Sequence, residues 1–514
     1  MPKAAPSFGL ILPPKDPGEP SYRWLYAALR LEILQGRLLP GARLPSTRDL
    51  AAQYGLARGT VVNAFEQLKS EGYIDGSLGS GTYVGKILPE SLLQVAYRDI
   101  AKPAAERAAQ TRRPATLSDY GRRAKLFRNY ENRPTRAFRA NLPALDLFPV
   151  ALWTKITQRS LGRISTHQLM GGDPLGYLAL RQAVAEYLKS RGVSCQPQQV
   201  MIVSGVQQAL DLTARLLVNP GDRVCVENPG YSGAVQVFQA LGAKIVAAGI
   251  DDQGISIRRL PSKAVRLIYV TPGHQFPLGT TMSLARRLAL LEWARKSGAV
   301  IFEDDYDGEF RYAGRPIPAL QGLDTSGAVI YAGSFSKVLF PSLRLGYVAI
   351  PMHLLQRFEA VQSLTCRYAS LLEQLALTVF INDGHFARHL RHMRQVYAER
   401  LAVLLEEARA RLGGLLEIRG VEAGLQTVGW LPAGMDAEAA AAAAAKRNVM
   451  VTPLARYRFG GTREPGLPSR ALPQGLQLGF AALDVKEIRR GVRELAVALE
   501  GERKAAKRNS QGPA

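Results

Sequence analysis

The chain has 514 residues, 47% hydrophobic and 21% charged, which allows at least two domains with packed cores and excludes a disordered or fibrous chain. Its net charge of +23 favours an anionic partner, nucleic acid first, although the excess is spread along the chain and does not locate a site. The three cysteines, Cys195, Cys225 and Cys366, form no paired motif and give neither a disulfide framework nor a metal site. No run reaches the length of a membrane helix and Phe8 to Leu12 is too short for a signal-peptide core, so the expected location is the cytosol.

The first predicted element is a helix from Ser21 to Gly36, with Leu25, Leu29 and Ile33 four residues apart; Pro40-Gly41 breaks it. Ser46 suits the N-cap of a second helix running to about Gln53. Tyr54-Gly55-Leu56 turns the chain into a third helix, from about Arg58 to Glu71. Its Val61, Ala64, Phe65 and Leu68 form an apolar face, and Thr60, Asn63 and Gln67 lie opposite. Helix, glycine turn and helix describe a helix-turn-helix whose exposed side chains can reach base edges and phosphates. Tyr73-Ile74-Asp75, a turn with Gly76, Gly79 and Gly81, and Thr82-Tyr83-Val84 read as a β-hairpin wing. A helix pair used only for packing is the alternative.

From Lys86 to Arg133 the periodicity dissolves into a basic linker with arginine pairs at Arg112-Arg113 and Arg122-Arg123 and local helix over Pro89 to Ile100. Such a tether allows many domain arrangements and can touch phosphates without sequence preference.

Beyond about Phe138, strands at Val200–Ser204, Arg223–Glu227, Val265–Val270, Ala299–Asp304 and Ala328–Ala332 alternate with helices such as Gln207–Leu217 and Ser232–Leu241. That alternation predicts an α/β domain with a mostly parallel central sheet, whose ligands bind at the C-terminal strand ends. Polar motifs stand at those ends. Gly205-Val206-Gln207 opens a helix, where backbone N–H groups suit a phosphate. Tyr231, in Asn228-Pro229-Gly230-Tyr231, can stack on an aromatic ring. His274 and Gln275 can meet a ring hydroxyl. On the strand ending in Glu303-Asp304-Asp305-Tyr306, alternation places Asp304 and Tyr306 on one face and Glu303 and Asp305 on the other.

The last motif is Gly333-Ser334-Phe335-Ser336-Lys337, followed by Arg344. A lysine just after an apolar strand is placed to form a Schiff base with pyridoxal phosphate (PLP), while Ser334, Ser336 and Arg344 suit its phosphate. Asp304 can keep a pyridine nitrogen protonated, which makes the ring an electron sink, and Tyr306 can bond the ring oxygen. Further on, Ala439 to Ala445 reads as a helix with Asp436 as its N-cap.

Leu44-Pro45-Ser46-Thr47-Arg48, Gly59-Thr60-Val61, Leu68 with Glu71-Gly72-Tyr73, and Gly79-Ser80-Gly81-Thr82-Tyr83-Val84 resemble the winged helix of GntR-family transcription regulators. The resemblance implies DNA contacts at Arg43, Ser46, Arg48, Arg58, Thr60 and Asn63, with Gly81 at the wing tip. Residues from about 138 to 500 resemble fold-type I aminotransferases. The fusion is similar to the MocR-type (GabR-like) bacterial regulators. It implies a DNA-binding domain at residues 1–85, a linker at 86–135 and a PLP-binding effector domain at 136–514, with Lys337 as the catalytic lysine and a homodimer that can be head-to-tail. Gly273 stands where relatives usually carry serine. Gln477, in Gln474-Gly475-Leu476-Gln477-Leu478-Gly479-Phe480, stands where true aminotransferases commonly carry the arginine that grips a substrate carboxylate. A neutral amide does not replace a bidentate guanidinium. Arg456 and Arg458 are the remaining candidates for a carboxylate contact.

These readings lead to a transcription regulator that binds operator DNA and senses an amine, an amino acid or PLP itself through Lys337. The rival reading is a working aminotransferase with a DNA-binding appendage.

Overall fold

Leu25, Leu29 and Ile33, spaced four apart in sequence, are all buried in helix α1 (Ser21–Leu34), as their spacing requires. The computed structural model describes residues 12–16, 18–77, 81–86, 116–127, 136–261, 264–312, 317–459 and 474–510. It divides into two compact units, Met1–Thr116 and Leu117–Ala514. In the first, α1 packs with α2 (Thr47–Tyr54) and α3 (Arg58–Ser70), and the core takes Val61, Ala64, Phe65 and Leu68 from the predicted face of α3. Ser46 caps α2: its Oγ accepts from the Asp49 N–H at 3.2 Å. Gly55 ends α2 at φ 64°, in the left-handed region that glycine adopts without strain. Strands β1 (Ile74–Ser77) and β2 (Gly81–Val84) form the antiparallel wing, with Ile74 opposite Val84. The predicted helix over 89–100, the pair Arg112-Arg113 and the wing residues Gly79-Ser80 lie outside the described residues.

Part of the stretch read as linker belongs to the second unit. Asp119–Arg123 is a short helix capped by Ser118, and Arg123 Nε donates to the Ala240 carbonyl at 3.1 Å. Phe127 meets the Tyr231 ring edge-on at 5.9 Å.

The second unit is built on an eight-stranded sheet. Its strands are β3 (Val200–Val203), β4 (Arg223–Asn228), β5 (Lys244–Asp251), β6 (Gly254–Ile255), β7 (Val265–Val270), β8 (Val300–Asp305), β9 (Val329–Ser334) and β10 (Gly346–Ala349), in the order β3-β10-β9-β8-β7-β4-β5-β6. The sheet is mixed. The neighbours from β9 through β5 pair in parallel, while β10 runs against both β3 and β9, and β6 against β5. Both faces are covered. Val224, Val226, Leu267 and Tyr269 enter one core, and Cys225, Ile268 and Ile301 enter another, as the two-residue alternation of a strand demands. A second sheet, absent from the sequence reading, holds β11 (Glu417–Ile418), β12 (Gln426–Trp430), β13 (Thr452–Pro453) and β14 (Gly475–Gly479) in the order β11-β12-β14-β13. The predicted alanine helix spans Ala437–Ala445, and Asp436 caps it by accepting from the Ala439 N–H at 2.8 Å. No helix among the described residues is long and apolar enough to cross a membrane.

Candidate functional site

The polar motifs converge because β3, β4, β7, β8 and β9 all point the same way and end along one edge of the sheet. After β3, Gly205 has φ 109° and precedes the helix Val206–Leu217, whose first N–H groups face outward from the turn. A side chain at Gly205 would meet the Arg344 guanidinium at 3.5 Å, so the glycine leaves room there. Arg344 is held in the left-handed region at φ 50°, a strained conformation for a residue other than glycine. Ser334 and Ser336, in the stretch that carries Lys337, are buried, and Ser336 Oγ has no hydrogen-bond partner among the described residues. Backbone N–H groups at a helix start, hydroxyls and a guanidinium are groups that can bind a phosphate.

After β4, the Tyr231 hydroxyl donates to Gln207 Oε1 at 3.1 Å, and Gln207 Nε2 donates to the Gly233 carbonyl, which ties Tyr231 to the helix that begins after Gly205. Gln275 is spent within the protein: its Nε2 donates to the Pro229 carbonyl at 2.9 Å and lies 3.3 Å from Glu227. His274 Nδ1 lies 3.0 Å from Asp307 and 2.9 Å from the Tyr306 hydroxyl, while its Nε2 is buried without a partner among the described residues. Glycine is required opposite it. A Cβ at Gly424, where φ is 93°, would fall 2.0 Å from His274 Cε1.

Asp304 behaves as strand alternation predicts. It shares a face with Phe302, while Glu303 turns away to accept from the Leu320 and Gln321 N–H groups and Asp305 pairs with Arg191. The Tyr269 hydroxyl donates to Asp304 Oδ2 at 2.7 Å, and Oδ1 is buried with no partner among the described residues. Burial raises the Asp304 carboxyl to about 7, opposed by the Tyr269 hydrogen bond. Lys337, in the helical turn after β9, donates from Nζ to the Asn141 carbonyl at 2.9 Å. Asn141 is itself at φ 67°, and its N–H donates to Gln426 Oε1 at 3.1 Å.

Sequence reasoning missed four contributors. Tyr269 sits inside an apolar strand, Asn141 precedes the first recognised element, and Gln426 lies on an unpredicted strand. Asp307 reads as structural in the sequence, yet it partners His274. The signal that carried Asp304, a polar residue on the alternating face of a buried strand, also marks Tyr269 and Gln426. The two arginine candidates fall elsewhere. Exposed Arg456 is paired with Glu438, Nε to Oε1 at 2.9 Å, and Arg458 is exposed. The residue between them, Tyr457, is the one that meets Gln477, its hydroxyl donating to Gln477 Oε1 at 2.7 Å.

In the first unit the predicted DNA contacts share the surface. Arg43, Ser46, Arg48, Arg58 and Asn63 are exposed, and Thr60 and Gly81 are half-buried. Arg43 bridges to Tyr83 of the wing, and its guanidinium lies within 3.0 Å of where a Gly81 side chain would project. Thr60 and Asn63 lie on α3, the second helix of the motif, which in such domains enters the major groove.

Residues 147–495 match the family model for aminotransferase class I and II, and residues 21–84 that for bacterial regulatory proteins of the gntR family. The chain is 40% identical over 488 residues, 94% of its own length and 95% of the relative's, to the probable rhizopine catabolism regulatory protein MocR of Rhizobium meliloti. Its fold is similar to that of the multiple substrate aminotransferase of Thermococcus profundus, with TM-score 0.67, 29% identity, and 76% of this chain and 98% of that one covered. It is also similar to LysN, the α-aminoadipate aminotransferase of Thermus thermophilus, solved with N-(5'-phosphopyridoxyl)-L-leucine, with TM-score 0.63, 28% identity and coverage of 72% and 93%. Aminotransferases of this class depend on PLP. A winged helix-turn-helix followed by an aminotransferase fold-type I domain, matched along nearly its whole length by a named regulator, makes this chain a member of the MocR-type subfamily of GntR transcription regulators.

Proposed function

We propose that the second unit binds PLP through a Schiff-base linkage to Lys337, and that an amine, an amino acid or PLP itself acting there changes the affinity of the winged helix for operator DNA. Two buried atoms without a partner among the described residues, Asp304 Oδ1 and Ser336 Oγ, carry the reading. They stand at strand ends that also carry Lys337, and each lacks what a pyridinium nitrogen or a phosphate provides. Asp304 holds the ring-nitrogen proton, Tyr231 covers the ring, and Tyr306 with His274 meets the ring hydroxyl. Gly205, Val206 and Gln207 with Ser334, Ser336 and Arg344 hold the phosphate, and Gln275 supports the Tyr231 loop. Bound there, PLP supplies an electrophilic carbon. Lys337 would be the residue that an incoming amine displaces, its Nζ staying within reach of the Asn141 carbonyl. Residues 1–85 then contact DNA through Arg43, Ser46, Arg48, Arg58, Thr60, Asn63 and Gly81, and the stretch before the Ser118-capped helix tethers the two units, in a homodimer.

Gln477 favours sensing over turnover, because a buried amide stands where the resemblance expects the arginine that grips a carboxylate. The likeness of the second unit to working aminotransferases supports catalysis as the rival reading. The Lys337→Ala variant decides between them. Sensing requires that it lose the visible absorbance of bound PLP and the response to amines while keeping wild-type affinity for the promoter. Sustained transamination of a common amino acid by the wild type, at many turnovers per site, would refute the sensing role.

A further inference from the structure

Two glutamines on the second sheet stand out. β12 and β14 are antiparallel, with Val428 opposite Gln477 and Gln426 opposite Gly479. Strand alternation therefore puts Gln426 and Gln477 on one face as diagonal neighbours, with backbones about 7–8 Å apart. Both are buried, at 1% and 0% exposure; the Nε2 of each lacks a partner in good hydrogen-bond geometry among the described residues, although the Gln426 amide lies close enough to act on the Tyr306 hydroxyl. Their oxygens are already engaged. Gln426 Oε1 accepts from the Asn141 N–H, which fixes the amide with its NH2 group outward; Gln477 Oε1 accepts from the Tyr457 hydroxyl.

This face looks toward Lys337. A single residue spans the gap, since Asn141 donates to Gln426 from its N–H and accepts from Lys337 Nζ at its carbonyl. On the other side, the Tyr457 ring packs edge-on against Phe276 at 5.0 Å, and Phe276 in turn meets Tyr306 and Tyr231. Two amide NH2 groups, that of Gln477 without a partner and that of Gln426 beside the Tyr306 hydroxyl, thus border the place where an amine at Lys337 would extend.

Their chemistry limits what they can receive. An amide NH2 donates to any oxygen, but it carries no charge to balance a carboxylate. The charged groups that act on the lysine are the carboxyls of Asp307 and Asp304 and the guanidinium of Arg344, and the phosphate role proposed above takes up that guanidinium. Arg136, Arg139 and Arg456 line a different cavity of about 460 Å³ whose lining includes Glu438 and neither glutamine nor Lys337. A carboxylate brought against Gln426 and Gln477 would be desolvated without a cation, whereas a neutral oxygen loses little. We infer that the effector of the Lys337 site is an amine bearing an uncharged oxygen, a hydroxyl or an amide carbonyl, received by Gln426 and Gln477, and not an α-amino acid. The inference rests on the sensing role of Lys337 proposed above.

The test uses full-length, PLP-loaded protein and four amines of one carbon skeleton: L-alaninol, L-alaninamide, L-alanine and isopropylamine. The visible absorbance of the bound cofactor is followed in each titration. The alcohol or the amide should bind at least about tenfold more tightly than either alanine or isopropylamine, as a hydrogen bond to a buried donor predicts. Which of the two is tighter assigns the oxygen. The Gln477→Arg variant should reverse the order in favour of alanine. Tighter binding of alanine than of both neutral compounds by the wild type, or no advantage of either over isopropylamine, overturns the inference and leaves the sensing role standing. A spectrum that no amine moves overturns both.

Discussion

Burial lowers the pKa of Lys337 to about 8, with Asp307 and Asp304 opposing the shift and Arg344 adding to it. If Lys337 holds PLP as proposed, it can react with the aldehyde only as the free amine. Below about pH 8 that fraction falls about tenfold per unit, and above it the fraction is saturated. The rate at which apo protein forms the visible PLP band should therefore climb from about pH 6 to about 8 and then level. A lysine with its ordinary value near about 10.4 would keep accelerating beyond about pH 9. Stopped-flow absorbance across that range separates the two curves, and a rise that continues past about pH 9 rejects the buried-amine account. The positions of Asp304 and Lys337 could be read from the sequence because each is a charged residue at or just after the end of an apolar run. Asn141 was not, because it acts through its backbone carbonyl, and a carbonyl belongs to every residue. Tyr269 and Gln426 escaped because their neighbours are apolar and their role depends on which strand lies alongside.

Among elements, the five strands read from sequence all form, since runs such as Val265–Val270 and Val329–Ala332 are buried on both faces and bounded by turns. The reversal of β10 was not legible: Gly346–Ala349 is a fully buried run of four, and nothing in a run that short states its direction. β12 and β14 were hidden because Gln426 and Gln477 interrupt their apolar pattern with buried amides. The helix-turn-helix was legible to within two residues, and its cap yields a prediction. Ser46 Oγ accepts from the Asp49 N–H and donates to Asp49 Oδ2 at 2.7 Å, so it holds the start of α2 whether or not it also reaches DNA. Ser46→Ala should cost about 1 kcal/mol locally, seen as faster hydrogen exchange of the α2 amides in the full chain. Arg58→Ala, at the exposed start of α3, should leave that exchange unchanged. It should lower the slope of log affinity against log salt by about one if Arg58 contacts a phosphate. Equal exchange in both variants would remove the capping role from Ser46.

At the scale of the whole molecule, the DNA-reading residues lie in the first unit and Lys337 in the second, so regulation requires an energetic coupling between two sites on separate bodies. Such coupling is reciprocal. Whatever factor a saturating amine applies to operator affinity, saturating operator DNA must apply to amine affinity, and coupled regulators typically show about 5- to 150-fold. Operator anisotropy with and without the amine gives one factor, and cofactor absorbance with and without operator DNA gives the other. Both must be measured at one ionic strength. With a net charge of +23, non-specific attraction to phosphates changes steeply with salt and would otherwise pass for coupling. The two factors should agree. Lys337→Ala should reduce the first to one without altering the affinity of the amine-free protein for DNA, because the lysine contributes to the operator only through the amine it receives. If the wild-type factors agree at one, Lys337 receives its amine without informing the winged helix, and the fusion of the two units needs another explanation.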